Sequence, residues 1–130
     1  RDVERSRGLG DVYKRQSTDS AGADLTGQKT YTLHFDALPP TVGNGFWSVT
    51  AYGEDNFLID NPISRYCVND RSGLHRNADG SVDVTLSKDA PEDTTNWLPV
   101  SDEKFHLFLR IYKPDWTALD SFPPPVISVK

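Results

Sequence analysis

The sequence predicts an all-β fold, a jelly-roll-like antiparallel β-sandwich with short strands and at most one or two helical turns. Apolar residues alternate with polar ones along several short segments, and turns rich in Gly, Pro and Asp separate these segments. No segment carries a sustained apolar period of 3.6 residues, so long helices are not expected. About seven short strands divided by such turns are typical of a two-sheet sandwich or a barrel. The longer connections at 69–77 and 88–104 suit crossings between two sheets.

The strongest strand pattern lies at residues 105–112, where apolar residues occupy every second position. One predicted face takes Phe105, Leu107, Leu109 and Ile111, and the other takes His106, Phe108, Arg110 and Tyr112. Residues 46–52 are aromatic and β-branched, which suits a pleated strand. Here Trp47, Val49 and Ala51 share one predicted face, and Phe46, Ser48, Thr50 and Tyr52 share the other.

Shorter segments complete the predicted strand set. Residues 31–35 and 82–86 alternate between apolar and polar side chains. The remaining strand candidates are 57–59, 63–68 and a terminal edge strand at 126–129. The run Asn77-Ala78-Asp79-Gly80 predicts a hairpin turn, and residues 115–122 are long enough for one helical turn. Trp47 and Trp97 are expected to be core anchors.

Composition divides the chain into three segments. Residues 1–16 are rich in Lys and Arg, and they resemble the translation of a transposon end used to build sequencing libraries, above all in the run DVYKRQ. We therefore expect residues 1–16 to be a non-native or disordered segment, the alternative being a basic arm that binds a partner. Residues 17–29 are small and polar and predict a linker, while residues 30–130 predict the sandwich domain. The chain contains no Met, which predicts a mature product or a fragment.

Charge and cysteine content exclude several classes of function. The chain has 130 residues, 14 Lys+Arg and 19 Asp+Glu, for a net charge of −5. This balance argues against a nucleic-acid partner, because such binding needs Lys and Arg to neutralise phosphates. No apolar run approaches ~18 residues, so no membrane span is predicted. The single cysteine, Cys67, excludes an internal disulfide and a multi-cysteine metal site.

The sequence carries no recognisable catalytic or cofactor-binding motif, and no catalytic residue is predicted. It has no nucleophile elbow and no Gly-rich phosphate loop. His34, His75 and His106 lack the short spacing of metal ligands, and the residues around Gly80 lack the acids that end a calcium loop. We therefore predict no metal and no cofactor, and we expect Cys67 to be a small buried side chain. Whether the protein is an enzyme stays open.

Five sequence blocks occur in order along the chain: residues 46–52 (FWSVTAY), 60–66 (DNPISRY), 77–81 (NADGS), 96–99 (NWLP) and 109–114 (LRIYKP). Together they resemble the domain-of-unknown-function family 1214, and the resemblance covers residues 22–130. This chain departs from the family at Cys67, where Ser is common, and at Phe122, where Trp is common. Both departures are compatible with packing roles.

The resemblance implies a jelly-roll-like sandwich that forms the C-terminal part of a bacterial protein whose N-terminal part belongs to family 1254. The missing upstream domain is then the expected partner, and the sandwich is expected to be a structural or packing module. Many members of the family are exported, so the resemblance also implies a periplasmic or secreted location. It implies no activity.

The alternative function is binding or hydrolysis of a carbohydrate or another small molecule on a polar sheet face. Arg, His and Tyr side chains alternate with the apolar positions of the predicted strands, and such a face could form a concave site. The candidate ligand-binding residues are His34, Thr50, Arg65, His106, Arg110 and Tyr112. A competing interpretation is that Arg65 and Arg110 form structural ion pairs with Asp60 or Asp70, since buried arginines are unusual unless paired.

Overall fold

The protein folds as two β-sheets packed face to face. The structure, a computed structural model, describes residues 3–6 and 11–130. The five-stranded sheet has the order β1 (Val3–Ser6), β2 (Asp11–Gln16), β8 (Phe105–Pro114), β4 (Thr41–Gly53) and β5 (Cys67–Asn69). The four-stranded sheet has the order β7 (Trp97–Pro99), β6 (Val82–Ser87), β3 (Tyr31–Phe35) and β9 (Val126–Val129). This arrangement confirms the predicted β-sandwich.

The chain crosses repeatedly between the two sheets. From β3 in the four-stranded sheet it passes to β4 and β5 in the five-stranded sheet, and it then returns to the four-stranded sheet as β6 and β7. It next crosses to β8 in the five-stranded sheet and ends as β9 in the four-stranded sheet. The crossings from β5 to β6 and from β7 to β8 fall within the segments 69–81 and 88–104, which include the long connections that the sequence predicts for this purpose. Among the strands of residues 3–6 and 11–130, every pair is antiparallel except β6 with β7. The single helix in the described ranges, α1 (Trp116–Leu119), is one turn long, as predicted.

The core lies between the sheets and follows the predicted alternation. The buried apolar side chains that face the core are Phe105, Leu107, Leu109 and Ile111 in β8 and Trp47, Val49 and Ala51 in β4. The opposite sheet contributes Tyr31, Leu33, Phe35, Val82, Val84 and Leu86, all fully buried. Each large apolar side chain removed from water contributes ~1.5–3 kcal/mol before entropy is counted. Trp97 is also buried, and its indole N–H donates to the Ser87 carbonyl at 3.1 Å.

Two predicted strands differ from the structure. The prediction of a strand at 57–59 was wrong, because only an isolated bridge from Tyr52 to Leu58 forms there and Phe57 is 71% exposed. The strand predicted at 63–68 is reduced to β5, since Ser64 takes a positive φ of 51° and turns the chain. The parallel three-residue strand β7 was not predicted, because so short a segment has no periodicity of its own.

Residues 11–29 contact the sandwich. β2 pairs with β8 along its whole length, from Asp11 opposite Tyr112 to Gln16 opposite Leu107. Within the segment predicted to be a linker, Leu25 is fully buried and its carbonyl accepts from the Phe105 amide at 3.2 Å. The non-native origin of residues 1–16 and the division into segments stay predictions. Within the described ranges, α1 falls far short of the length needed to cross a membrane.

Candidate functional site

The outer face of the five-stranded sheet carries an unusual concentration of rings and cations. The register places Arg110 between Tyr13 on β2 and Ser48 on β4, and it places Tyr112 opposite Phe46. These positions alternate with the buried core residues of β8, so their side chains point away from the core. We call Tyr13, Phe46, Phe108, Arg110 and Tyr112 the aromatic face.

The five side chains of the aromatic face contact one another in series. The rings of Phe108 and Tyr13 have centroids 5.5 Å apart. The Arg110 Cζ atom lies 5.9 Å from the Tyr13 ring centre and 5.8 Å from the Phe46 ring centre, and Phe46 stacks on Tyr112 at 5.2 Å. Each such ring pair contributes ~0.5–1.5 kcal/mol beyond burial, and a cation over an exposed ring ~0.5–1 kcal/mol. The aromatic face is therefore a preformed, ordered surface.

His106 lies on the same sheet face, at the start of β8. Its ring stacks on Tyr52 with centroids 5.6 Å apart, and the residue is only 8% exposed. Burial, and then the positive charge of Arg15, lower the pKa of His106. The imidazole lines a cavity of about 150 Å³ together with Arg15, Glu54 and Lys104. No hydrogen bond joins this imidazole to any part of the chain that the structure describes.

Thr50 also lies on this face, opposite Phe108 on one side and Cys67 on the other. The structure therefore brings together four of the six predicted ligand-binding residues: Thr50, His106, Arg110 and Tyr112. Cys67 is half-buried, and burial raises the pKa of its thiol. A raised pKa disfavours the thiolate, so Cys67 is poorly suited to nucleophilic chemistry.

Arg65 lies apart from this face and has a structural role. Its Nη1 atom lies within 3.1 Å of the carbonyl oxygens of Thr94, Thr95 and Trp97. The backbone N–H of Arg65 donates to the Asn61 side chain, whose amide in turn donates to the Arg65 carbonyl, both at 2.8 Å. The expected ion pair of Arg65 with Asp60 or Asp70 is not formed, because the guanidinium is engaged by backbone carbonyls.

His34 lies on the other sheet and faces the opposite side of the sandwich. Nδ1 is 2.6 Å from Asp83 Oδ1, and Nε2 is 2.8 Å from Asp36 Oδ1. The hydrogen bond to Asp83, followed by the one to Asp36, raises the pKa of His34. The structure therefore separates His34 from the four residues on the five-stranded sheet.

Sequence reasoning missed two parts of this surface. Tyr13 was set aside with residues 1–16, so its ring contact with Phe108 had no place in the prediction. Tyr52 and Phe46 were assigned to the correct side of their strand but were not named as site residues. Among the described residues, no group of three His, Cys, Asp or Glu side chains converges in a way that could hold a metal ion.

A protein-family model described as "Protein of unknown function (DUF1214)" matches residues 10–116. The chain belongs to the DUF1214 family. The match includes β2 and every residue of the aromatic face. None of the curated proteins matches the chain.

Two solved structures resemble the DUF1214 domain. The VPA0106 protein from Vibrio parahaemolyticus is 31% identical, with a TM-score of 0.80 over 94% of this chain. An uncharacterised protein from Burkholderia cenocepacia is 19% identical, with a TM-score of 0.59 over 92% of this chain, and supports the fold alone. The DUF1214 chain spans 31% of the Vibrio protein and 28% of the Burkholderia protein.

Proposed function

We propose that this DUF1214 domain is a packing module of a longer bacterial protein, and that its aromatic face docks against a further domain of the same polypeptide. The observation that carries the proposal is the aromatic face itself. Its rings are ordered by mutual stacking yet remain partly open to solvent, with Phe46 36% exposed. Aromatic and Arg side chains are enriched at the centres of protein interfaces.

The length of the relatives supports a partner within the same chain. The Vibrio protein has about two thirds of its length outside the region that this chain matches. Domain interfaces within one chain commonly bury ~600–1,500 Å², an area that the outer face of a five-stranded sheet can supply. We take the upstream region as the docking domain and the bacterial envelope or exterior as the location, as the family resemblance implies.

Hydroxyl-radical footprinting with mass spectrometry tests the docking proposal. The oxidation rates of side chains are measured in this chain and at structurally equivalent positions of the intact Vibrio protein. We expect ready oxidation at Phe46 and Tyr112 in this chain and protection at the equivalent outer-face positions of the Vibrio protein. The position of Phe57, in a loop away from the aromatic face, is the control and is expected to react in both. Equal oxidation of the outer face in the two proteins would contradict the proposal.

The second candidate function is binding of a small polyhydroxylated ligand, such as a sugar, beside His106. The His106 side chain lines the cavity of about 150 Å³ and has no hydrogen bond within the described chain, so its ring nitrogens can bond to a ligand there. The adjoining cavity offers the mixed polar lining of Arg15, Glu54 and Lys104, with the Tyr52 ring stacked on His106. Sugar hydroxyls both donate and accept hydrogen bonds, so they suit a neutral imidazole flanked by a carboxylate and cations.

NMR titration of the three histidines with monosaccharides tests this second candidate. We expect a saturable change in the His106 ring signals and none at His34 or His75, which lie outside the cavity. His106→Phe keeps the ring stack on Tyr52 and is expected to abolish binding. Unchanged His106 signals with every monosaccharide would reject this function without affecting the docking proposal.

A further inference from the structure

On its core-facing side, the position of β2 beside β8 favours apolar side chains, but only one of the three residues of β2 on that side is apolar. Val12 lies opposite Ile111, Lys14 opposite Leu109 and Gln16 opposite Leu107. All three β8 residues are buried in the core. Because neighbouring residues across a ladder point to the same side of a sheet, Val12, Lys14 and Gln16 take core-facing positions. Lys14 and Gln16 therefore place a cation and an amide at positions that face the core.

The surface beside the end of β2 forms an open groove rather than a closed edge of the sandwich. This groove of about 430 Å³ lies between the Lys14–Gln16 end of β2 and the start of β9, and Pro125 and Ile127 line its far side. The Gln16 side-chain amide donates to the Pro125 carbonyl at 3.0 Å, but its oxygen, Oε1, is buried without a hydrogen-bond partner. The unpaired oxygen is the defect that a polar side chain leaves at a position facing an apolar core.

We infer that the groove formed by the edge of β8 and the start of β9 is a strand-acceptor site. It fits an extended polypeptide segment of about six residues that pairs antiparallel with β8 and carries apolar side chains at its second, fourth and sixth positions. β2 occupies this site in the antiparallel register that such a segment needs. Of its three core-facing side chains only Val12, which is 7% exposed, is apolar. The ladder supplies affinity, and the core-facing positions supply specificity.

The inference concerns the core-facing side of β2, whereas the proposed docking surface uses the outward side, to which β2 contributes Tyr13. Tyr13 and Arg15 of β2 point to the outer side, and Lys14 and Gln16 point to the core. The polar residues on the core-facing side of β2 also agree with the expectation that residues 1–16 are not native to the domain. Lys14 and Gln16 lie opposite Leu109 and Leu107, which is a poor match of polar to apolar side chains.

Substitution within the full chain is the first test. Lys14→Ile combined with Gln16→Ile places β-branched apolar side chains opposite Leu109 and Leu107. We expect the folding equilibrium constant to rise about tenfold or more, as measured by urea unfolding, because the buried unpaired amide oxygen is removed and more apolar surface is buried against β8. Arg15→Ile is the matched control, because it also introduces the strand-favouring residue Ile, but on the outward side of β2. We expect it to have little effect on the folding equilibrium constant. No gain over this control overturns the inference.

A peptide competition is the second test, and it asks directly whether the groove accepts a segment other than β2. The full chain is unfolded and then refolded with excess peptide of sequence DVYIRI, or with DVYKRQ as the control. Amide hydrogen exchange then reports on β2 and β8 separately. We expect DVYIRI to expose the amides of residues 11–16 while β8 stays protected, and the control to displace β2 to a much smaller extent. Stabilisation by the double substitution without displacement by the peptide also overturns the inference, because β2 is then a fixed, under-filled strand.

Discussion

The imidazole of His34 lies between two carboxylates, with Nδ1 2.6 Å from Asp83 and Nε2 2.8 Å from Asp36. A neutral imidazole has one N–H donor, so donation to both carboxylates at once requires the protonated ring. Asp83 is held in turn by the Asn77 side-chain amide at 3.1 Å. This arrangement links β3, β6 and the turn before β6 on the outer side of the four-stranded sheet.

The first prediction concerns pH and His34. The two hydrogen bonds raise the pKa of His34 above its ordinary value of 6.5. The stabilisation is therefore fully present below pH 6.5 and is lost as the pH rises through the higher pKa of the folded protein. We expect a contribution of ~0.2–1 kcal/mol, because the groups are largely solvent-exposed. Urea unfolding of wild type and His34→Gln across this range measures it, with His75→Gln as the control. Equal losses in both variants at every pH would contradict the assignment.

The second prediction concerns His106 and has the opposite sign. Burial, with the charge of Arg15, lowers the pKa of His106 below 6.5. The unfolded chain therefore binds a proton before the folded chain does, and stability falls as the pH drops through and below 6.5. His106→Phe keeps a ring against Tyr52 and removes this proton uptake. We expect the variant to lose less stability on acidification than the wild type, as measured by thermal unfolding. An identical acid dependence in the wild type and the variant would show that protonation of His106 does not destabilise the folded protein.

The faces of individual strands could be predicted from the sequence, but their partners could not. Alternation in β8 correctly separates Leu107 and Leu109 from His106 and Arg110. Alternation cannot say which of the two outer faces a polar residue joins, because that depends on pairing between segments far apart in sequence. For this reason His34 was grouped with His106, although the two lie on different sheets.

Segments whose structure depends on tertiary contacts escaped prediction in the same way. β7 is a three-residue strand held by parallel pairing with β6 and by the buried Trp97, neither of which has a local signal. The run at 57–59 is apolar enough for a strand, yet the turn after Gly53 leaves Phe57 exposed. The interaction of Arg65 with backbone carbonyls was also beyond sequence reasoning, because pattern analysis searches for charged partners.

The third prediction concerns Gly45, at the irregular start of β4. A Cβ atom at this position would lie 2.6 Å from the Tyr112 carbonyl oxygen and 2.7 Å from that of Lys113. Because both neighbours are backbone atoms, relief requires the β4–β8 ladder to shift. We expect Gly45→Ala to destabilise the protein by ~1–3 kcal/mol and to disturb the stacking of Phe46 on Tyr112.

The matched control for Gly45 lies at the other end of the same strand. At Gly53 the nearest atom to a new Cβ is the Asp55 side-chain oxygen at 3.1 Å, which can move. Gly53→Ala is therefore expected to have a smaller effect in the same urea-unfolding measurement. A loss at Gly53 as large as that at Gly45 would mean that glycine flexibility, and not the close approach of β8, governs this strand.

The fourth prediction concerns Arg65, whose guanidinium lies against carbonyls that precede and begin β7. Arg65→Met keeps most of the aliphatic stem but removes every side-chain donor, leaving the carbonyls of Thr94, Thr95 and Trp97 without this partner. We expect a loss of ~1–3 kcal/mol in the free energy of unfolding, with faster hydrogen exchange concentrated at residues 94–99. Arg71→Met, at an exposed position, is the control and should change neither quantity. If Arg65→Met instead alters exchange evenly over the whole sandwich, then Arg65 does not anchor this segment, and β7 is held by the burial of Trp97 and its pairing with β6 alone.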